Sequence, residues 1–256
     1  MNRFAILAAG TLLVGSAAPA FAADTTTFGQ FFQQGTNQRL FRYKNEDAGP
    51  VKGAEIYSTA SATSNVPGSI PVYFILGVDG LPDDLSLPQD ALLSVDFKST
   101  SGTTGSGSGR IQMFGSGTVT ILRSTAALEG LNDRTNLLTV TFTNAELDAG
   151  QNSGSFTFKS NDNSVINYTS DFLDFSGVLK EDFAFSFSGA SPKFNASLGS
   201  SSVNTRFSGT GTFASDPLPL AVGVPEVSTW GMLLLGFGAI GAVARMGRRQ
   251  RNLFAA

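Results

Sequence analysis

The side chains of this sequence that could do acid–base or metal chemistry are almost all carboxylates. The 256 residues include neither Cys nor His. This excludes disulfides, thiolate nucleophiles, Cys/His zinc sites and the Ser-His-Asp and Cys-His catalytic arrangements. Six of the 20 acidic residues lie in three short clusters: Asp79, Asp83 and Asp84; Asp162 between Asn161 and Asn163; and Asp171 with Asp174.

Each cluster could bind a hard cation such as calcium, which prefers oxygen ligands, but none has the spacing of an EF-hand loop. Asp and Asn also favour tight turns, because their side chains hydrogen-bond to the nearby backbone. We therefore interpret the clusters as turns, and we predict no cofactor and no enzymatic activity. A carboxylate-dependent glycosidase is the weakest alternative, since the sequence does not identify which two carboxylates would flank a glycosidic bond.

The segments around these clusters alternate between apolar and polar residues, as strands of a half-buried antiparallel sheet do. In NLLTVTFTNAEL, Leu138, Val140 and Phe142 lie on one face. EDFAFSFSG and GSFTFKS repeat the pattern with phenylalanines at 183, 185 and 187 and at 156 and 158. About nine such segments predict an all-β fold, an antiparallel β-sandwich of jelly-roll type.

Three further segments carry specific predictions. PVYFILGV, Pro71 to Val78, is apolar throughout, which predicts a central strand covered on both faces. STSGTTGSGSGR, residues 99–110, predicts a long exposed hairpin loop, and its glycines lack the lysine and helix of a phosphate-binding loop. A short helical turn is predicted from residue 124 to near 130.

The first 22 residues have the features of a secretory signal peptide. Arg3 precedes an apolar stretch, and the small residues Ala20 and Ala22 flank Phe21 in the pattern of a signal peptidase site. Cleavage after Ala22 would leave a body with an acidic balance, because residues 24–225 hold 19 of the 20 acidic residues and 12 of the 17 basic ones. That balance argues against nucleic-acid binding.

The C-terminal stretch VPEVSTWGMLLLGFGAIGAVARMGRRQR, Val224 to Arg251, differs from the rest of the chain. Its apolar run from Trp230 to Ala244 is 15 residues long, shorter than the roughly 20 residues that span a bilayer without strain. Four arginines follow, Arg245, Arg248, Arg249 and Arg251, and would hold that end in the cytoplasm. The stretch predicts a single, marginal hydrophobic helix that leaves the body outside.

The order of Pro225, Glu226, Trp230, the glycine-spotted apolar run and the arginines resembles the PEP-CTERM sorting signal of exopolysaccharide-producing Gram-negative bacteria, in its PEPxxWA variety. Val227 and Gly231 depart from that pattern, standing where the family has proline and alanine. The resemblance covers only residues 224–251. It implies recognition and processing by exosortase, a membrane enzyme, after a transient stay in the inner membrane.

The sequence thus predicts a signal peptide over 1–22, a β-sandwich body over 23–215, a linker over 216–224 and a sorting signal over 225–251. The resemblance implies an exported structural or adhesive protein of the cell surface or extracellular matrix, associated with exopolysaccharide and biofilm. Two alternatives stay open: a carbohydrate-binding module, and a periplasmic domain that is anchored to the membrane without processing.

Overall fold

A computed structural model describes residues 25–35, 38–124 and 134–222, which we call the body. The predicted signal peptide, the sorting signal and all but the first residue of the predicted helical turn lie outside the described residues. The body contains strands and turns, so the all-β prediction is confirmed. The strands are β1 (Thr26–Gln33), β2 (Phe41–Asn45), β3 (Ala54–Ser58), β4 (Ile70–Leu76), β5 (Gln89–Ser99), β6 (Gly109–Phe114), β7 (Ser116–Arg123), β8 (Asn136–Thr143), β9 (Ala145–Gly150), β10 (Phe156–Lys159), β11 (Val165–Thr169), β12 (Leu173–Asp174), β13 (Lys180–Ser191), β14 (Thr205–Asp216) and β15 (Leu220–Ala221).

Every strand pair is antiparallel. Pairing follows the order of the chain when two strands that lie end to end along the same neighbour are counted as one composite strand. β1 and β2 lie end to end along β14, and β3 and β4 lie end to end along β5. These two composite strands also pair with each other, as β1 with β4 and β2 with β3. The last long strand, β14, therefore pairs with the first.

The other half of the sheet is built on one long hairpin. Phe114 pairs with Ala145 and Gly117 with Phe142, so the register is unchanged on both sides of Gly115 and Asn144. The hairpin's β7 arm pairs with β5, and its β8–β9 arm pairs with β11 and β10. Because β10 pairs with β13 and β13 with β14, the sheet closes on itself.

The predicted jelly-roll connectivity is wrong. A jelly roll is assembled from Greek keys, in which a strand returns past its neighbours. Here, when strands that lie end to end are counted as one, each strand pairs with the next one along the chain, in the order β1–β2, β3–β4, β5, β6–β7, β8–β9, β10–β11, β13 and β14. Breaks within single strands, such as Asn144 with its positive φ of 59°, also give fifteen strands where the sequence pattern indicates about nine. Alternation reveals which side chains face inward, but it does not specify which strands pair.

Phenylalanine rings fill the interior and join opposite walls. Phe97 on β5 and Phe158 on β10 stack with centroids 4.4 Å apart, and Phe142 on β8 lies 4.9 Å from Phe183 on β13. Inward-facing glycines make room for the rings: a Cβ at Gly211 would lie 2.3 Å from Phe31 and 2.6 Å from Phe185. The predicted inward positions on β8, β10 and β13 are confirmed.

The prediction that Pro71 to Val78 is covered on both faces is wrong. β4 alternates between buried and exposed residues, with Val72 and Phe74 inside and Pro71 and Tyr73 outside. Tyr73 is 47% exposed. The connection between β5 and β6 falls within the loop predicted over 99–110, and its Thr104 makes a bridge to Ile111. It is not the predicted exposed hairpin, because β5 pairs with β7, β6 pairs with β9, and Thr103 is buried.

Residues 192–204, which we call the plug segment, cover the interior beside β2 and β6. The Tyr43 hydroxyl donates to Gln112 Oε1 at 2.6 Å and accepts from the Ser202 N–H at 3.0 Å. Burial raises the pKa of Tyr43 to about 12, so it stays a neutral donor. Arg110 is 6% exposed and donates from Nε to the Ala196 carbonyl at 2.9 Å. The plug segment is thus fixed by buried hydrogen bonds as well as by apolar packing.

Candidate functional site

A polar cleft of about 520 Å³ opens on the outer surface where β11 separates from β13. The ladder between β10 and β13 ends at Ser160, whose N–H donates to the Phe183 carbonyl at 3.1 Å. The chain then turns through residues 161–164 before β11 begins, and this insertion leaves the gap. The cleft is lined by Glu146, Lys159, Ser160, Asn161, Asp162, Ser164, Lys180, Glu181, Asp182, Phe183 and Ala184.

Several of the charged and polar side chains of the cleft form ion pairs or hydrogen bonds with each other or with the nearby backbone. Lys159 Nζ lies 3.2 Å from Glu146 Oε1, and the Ser160 hydroxyl donates to Asp182. The Ser164 hydroxyl donates to the Asn144 carbonyl at 3.0 Å. A surface with acids, a base, amides and hydroxyls side by side suits a hydroxylated ligand better than a strongly charged one.

Glu181 is a partly buried carboxylate of the cleft. Burial raises its pKa above the ordinary value, and the hydrogen bond from the Tyr168 N–H partly opposes this. A raised carboxyl pKa suits a general acid, but catalysis also requires a second group placed against the substrate. The contacts of the cleft pair Glu146 and Asp182 with Lys159 and Ser160, which gives them structural roles.

A second exposed feature lies on the outer wall. Phe32 on β1 pairs with Tyr73 on β4, and their exposed fractions are 42% and 47%. Leu92 and Leu122 pair across β5 and β7 on the same wall and are also exposed. Aromatic rings displayed on a rigid sheet provide flat apolar surface for a ligand.

Several side chains considered as calcium ligands accept hydrogen bonds from backbone N–H groups. Asp171 Oδ2 accepts from the N–H groups of Thr135 and Asn136, both at 2.8 Å. Asp174 Oδ1 accepts from the Ser176 N–H at 2.9 Å, which lowers the pKa of Asp174. Asn161 Oδ1 accepts from the Asn163 N–H at 2.9 Å. The turn interpretation is confirmed at Asn161 and at Asp174, whose contacts are local. Asp171 instead binds the backbone at the start of β8, 35 residues away in the chain.

The cluster at Asp79, Asp83 and Asp84 lies in the exposed connection between β4 and β5. Hydrogen bonds in this connection involve backbone carbonyls: the Asp83 carbonyl accepts from the Ser86 hydroxyl at 2.6 Å. Within the described residues, no three acidic side chains come together as a metal site.

The sorting residues Pro225, Glu226 and Trp230, the arginines 245, 248, 249 and 251, and the signal peptidase residues Ala20 and Ala22 lie outside the described residues. The body has no helix long and apolar enough to cross a membrane. The sequence places the linker from residue 216, whereas β14 includes Asp216 and β15 pairs with β12. Structure therefore continues to Ala221, a few residues before the predicted sorting signal.

Comparison with known proteins gives no match: no family profile, curated protein or solved structure is detectably similar to this chain. Its function must therefore be argued from its own residues.

Sequence reasoning missed two surface features, the aromatic pair Phe32–Tyr73 and an arginine pair described below. Both consist of outward-facing residues on neighbouring strands. Period-two alternation reveals that such residues point outward, but only the register between strands reveals that they are adjacent.

Proposed function

We propose that this chain is an exported structural or adhesive protein of the cell surface or extracellular matrix, which a PEP-CTERM-like tail directs to an exosortase-like enzyme. The observation that carries the proposal is the tail itself. Pro225, Glu226 and Trp230 precede a marginal apolar run and an arginine cluster, and a signal peptide stands at the other end of the chain.

The character of the body supports a non-catalytic role. Its sheet pairs in chain order and is filled by phenylalanine. Four of the six acidic residues in its three Asp clusters lie in turns, and the carboxylates of the other two, Asp171 and Asp174, accept hydrogen bonds from backbone N–H groups. A sheet that closes on itself, apart from the gap between β11 and β13, suits a protein that must persist outside the cell without disulfides.

The apolar run, the arginines and the Pro-Glu pair of the tail would each have a separate role that follows from their chemistry. An apolar run of 15 residues would hold the chain at the inner membrane only marginally, since about 20 residues are needed for an unstrained span. The arginines would fix the cytoplasmic end. The Pro-Glu pair lies outside the apolar run, where a membrane enzyme can reach it.

Replacing Pro225 and Glu226 together by alanine tests the proposal. Membrane insertion should persist, because the apolar run is intact, but removal of the tail should stop and the uncut protein should accumulate in the inner membrane. Pro219→Ala, a proline change a few residues upstream, is the matched control and should be processed normally. Intact-mass analysis of the membrane and released fractions gives the answer: a double variant trimmed like the natural protein would favour a plain anchor.

A carbohydrate-binding module is the second candidate, favoured by the exposed Phe32–Tyr73 pair. Sugar rings stack on such aromatic faces through their apolar C–H surfaces. Tyr73→Ser should then weaken retention on immobilised exopolysaccharide, whereas Leu179→Ser, which alters a residue that is 90% exposed elsewhere, should not. Equal retention of both variants and the natural protein would remove this candidate.

A further inference from the structure

Two arginines face each other directly on neighbouring strands of the outer wall. Arg42 on β2 and Arg206 on β14 are register partners, and both are partly buried. Like charges placed directly opposite each other destabilise a sheet. A pair of this kind therefore calls for a compensating negative group.

The described chain supplies no such group. Its ion pairs use Lys44, Lys52, Lys98 and Lys159, and neither Arg42 nor Arg206 takes part in any of them. The contrast with Lys44 is local, because Lys44 is the next outward residue on β2 and interacts with both Glu46 and Glu55. Carboxylates thus neutralise one position of the strand and leave the adjacent one charged.

Neutral oxygens satisfy part of the arginine pair. Arg42 Nη1 donates to Asn65 Oδ1, and Arg206 Nη2 donates to the same oxygen at 2.8 Å and to the Ser64 carbonyl. Arg206 Nη1 is buried and has no hydrogen-bond partner among the described residues. Burial and the neighbouring Arg42 charge lower the pKa of Arg206. The guanidiniums share one amide oxygen where a charged oxygen would bind more strongly.

The pair also lines a cavity. A cleft of about 140 Å³ is bounded by Arg42, Asn65, Ser191, Pro192, Asn204, Thr205 and Arg206. Arg42 is further held over the Tyr57 ring, 5.9 Å from its centroid. The volume admits a small planar or tetrahedral oxyanion, and the fork of donors on a guanidinium matches such a group in two-point contact.

We propose that the Arg42–Arg206 cleft binds an oxyanion, a carboxylate or sulfate group, that bridges the two guanidiniums. The same chemistry has two sources: a small free anion, or a uronate or sulfate group on an acidic polysaccharide. This inference rests on the body alone and does not depend on how the tail is processed.

The test is isothermal titration calorimetry on the full-length protein with three probes at equal ionic strength: sodium sulfate, polygalacturonate and neutral dextran. We expect saturable binding of sulfate, polygalacturonate or both, and none of dextran. Binding of sulfate would indicate a site open to free anions, and binding of polygalacturonate alone would indicate a polymer-borne carboxylate. Absence of binding by both charged probes would overturn the proposal.

Three variants locate the site. Arg206→Met should weaken binding at least about tenfold, because it removes a charged donor worth more than about 1.4 kcal/mol. Arg39→Met removes the same charge from an exposed position just before β2 and should leave binding unchanged.

Asn65→Asp keeps the test decisive even if Arg206→Met folds poorly. A carboxylate at position 65 would sit between the guanidiniums, so the variant should be at least as stable as the natural protein and should also lose at least about tenfold in affinity. Undiminished binding by a folded Asn65→Asp or Arg206→Met protein would place the anion elsewhere and refute the proposal.

Discussion

Among the described residues, neither Arg110 nor Arg206 forms an ion pair with a carboxylate, but the two arginines differ in their hydrogen bonds. Arg110 donates from Nε to Ala196, from Nη1 to the carbonyls of Gly107 and Gly109, and from Nη2 to Gln151. Arg206 faces Arg42, and its Nη1 has no hydrogen-bond partner in the part of the chain that the structure describes. A charge can therefore be buried here at little cost when backbone carbonyls surround it.

The surroundings of the two arginines explain the difference. Arg110 lies under the plug segment, where Tyr43, Gln112 and Ser201 form a connected set of hydrogen bonds. Arg206 lies at a cleft open to solvent. The donors of Arg110 are hydrogen-bonded within the protein, which is typical of a structural role. Arg206 has a donor that could still bind an external group.

The largest expected effect is a difference in the free energy of unfolding between variants of these two arginines. Arg110→Met should lower the free energy of unfolding by about 3 kcal/mol, because the buried carbonyl of Ala196 and the partly buried carbonyls of Gly107 and Gly109 lose a charged donor. Arg206→Met should change it by less than about 1 kcal/mol, because the lost hydrogen bonds are offset by relief of the like-charge contact. Urea denaturation of the full-length variants measures both, and equal losses would show that the regions do not differ.

A second prediction concerns the tightness of the interior beside β14. Gly211→Ala should cost about 2 kcal/mol, because its Cβ would overlap the rings of Phe31 and Phe185. Gly177→Ala, where no atom lies within 4 Å of the added Cβ, is the control and should leave the denaturation midpoint nearly unchanged. If Gly211→Ala were as stable as the natural protein, the neighbouring rings would have to be able to move and make room for the added methyl group.

A third prediction tests the polar network beneath the plug segment. Tyr43→Phe should cost about 1.5 kcal/mol, because Gln112 Oε1 and the Ser202 N–H lose their shared partner in a buried site. Tyr73→Phe removes an outward-facing hydroxyl from β4 and should have almost no effect. Thermal unfolding of the two variants side by side gives the comparison, and similar melting temperatures would contradict it.

The smallest expected effect is a pH dependence at the polar cleft. Burial raises the pKa of Glu181, so the folded protein holds this proton more tightly than the unfolded chain does. The contribution to stability is therefore complete below the ordinary pKa of 4.5 and is lost as the pH rises through the raised pKa of the folded state. Glu181→Gln cannot ionise, so its stability relative to the natural protein should increase between about pH 4 and about pH 7. A difference that stays constant over that range would show that Glu181 is not responsible.

The alternation of apolar and polar residues was sufficient to predict which residues of some single strands face the interior. Leu138, Val140 and Phe142 on β8 alternate with threonines and are buried as predicted. It was insufficient for β4, because Pro71 and Tyr73 are apolar but face outward. An apolar residue on the outer face carries the same sequence signal as one in the core, and the two differ only in what packs against them.

The functional residues divide in the same way. The sorting motif at Pro225, Glu226 and Trp230 is contiguous, so it can be read from the sequence alone and remains a prediction. Arg42 and Arg206 are 164 positions apart in the chain, and neither is conspicuous in its own strand. Only the pairing of β14 with β2 places them together.

By itself, the sequence determined an all-β body with phenylalanines facing inward, because alternation of apolar and polar residues is a local property of a pleated strand. The absence of Cys and His likewise determined which chemistries are excluded. Tertiary structure alone decided that the sheet pairs in chain order and closes between β14 and the strands β1 and β2. Such closure depends on contacts between distant segments. The polar cleft at β11 depends on contacts of the same kind, and so does the placement of Arg42 opposite Arg206.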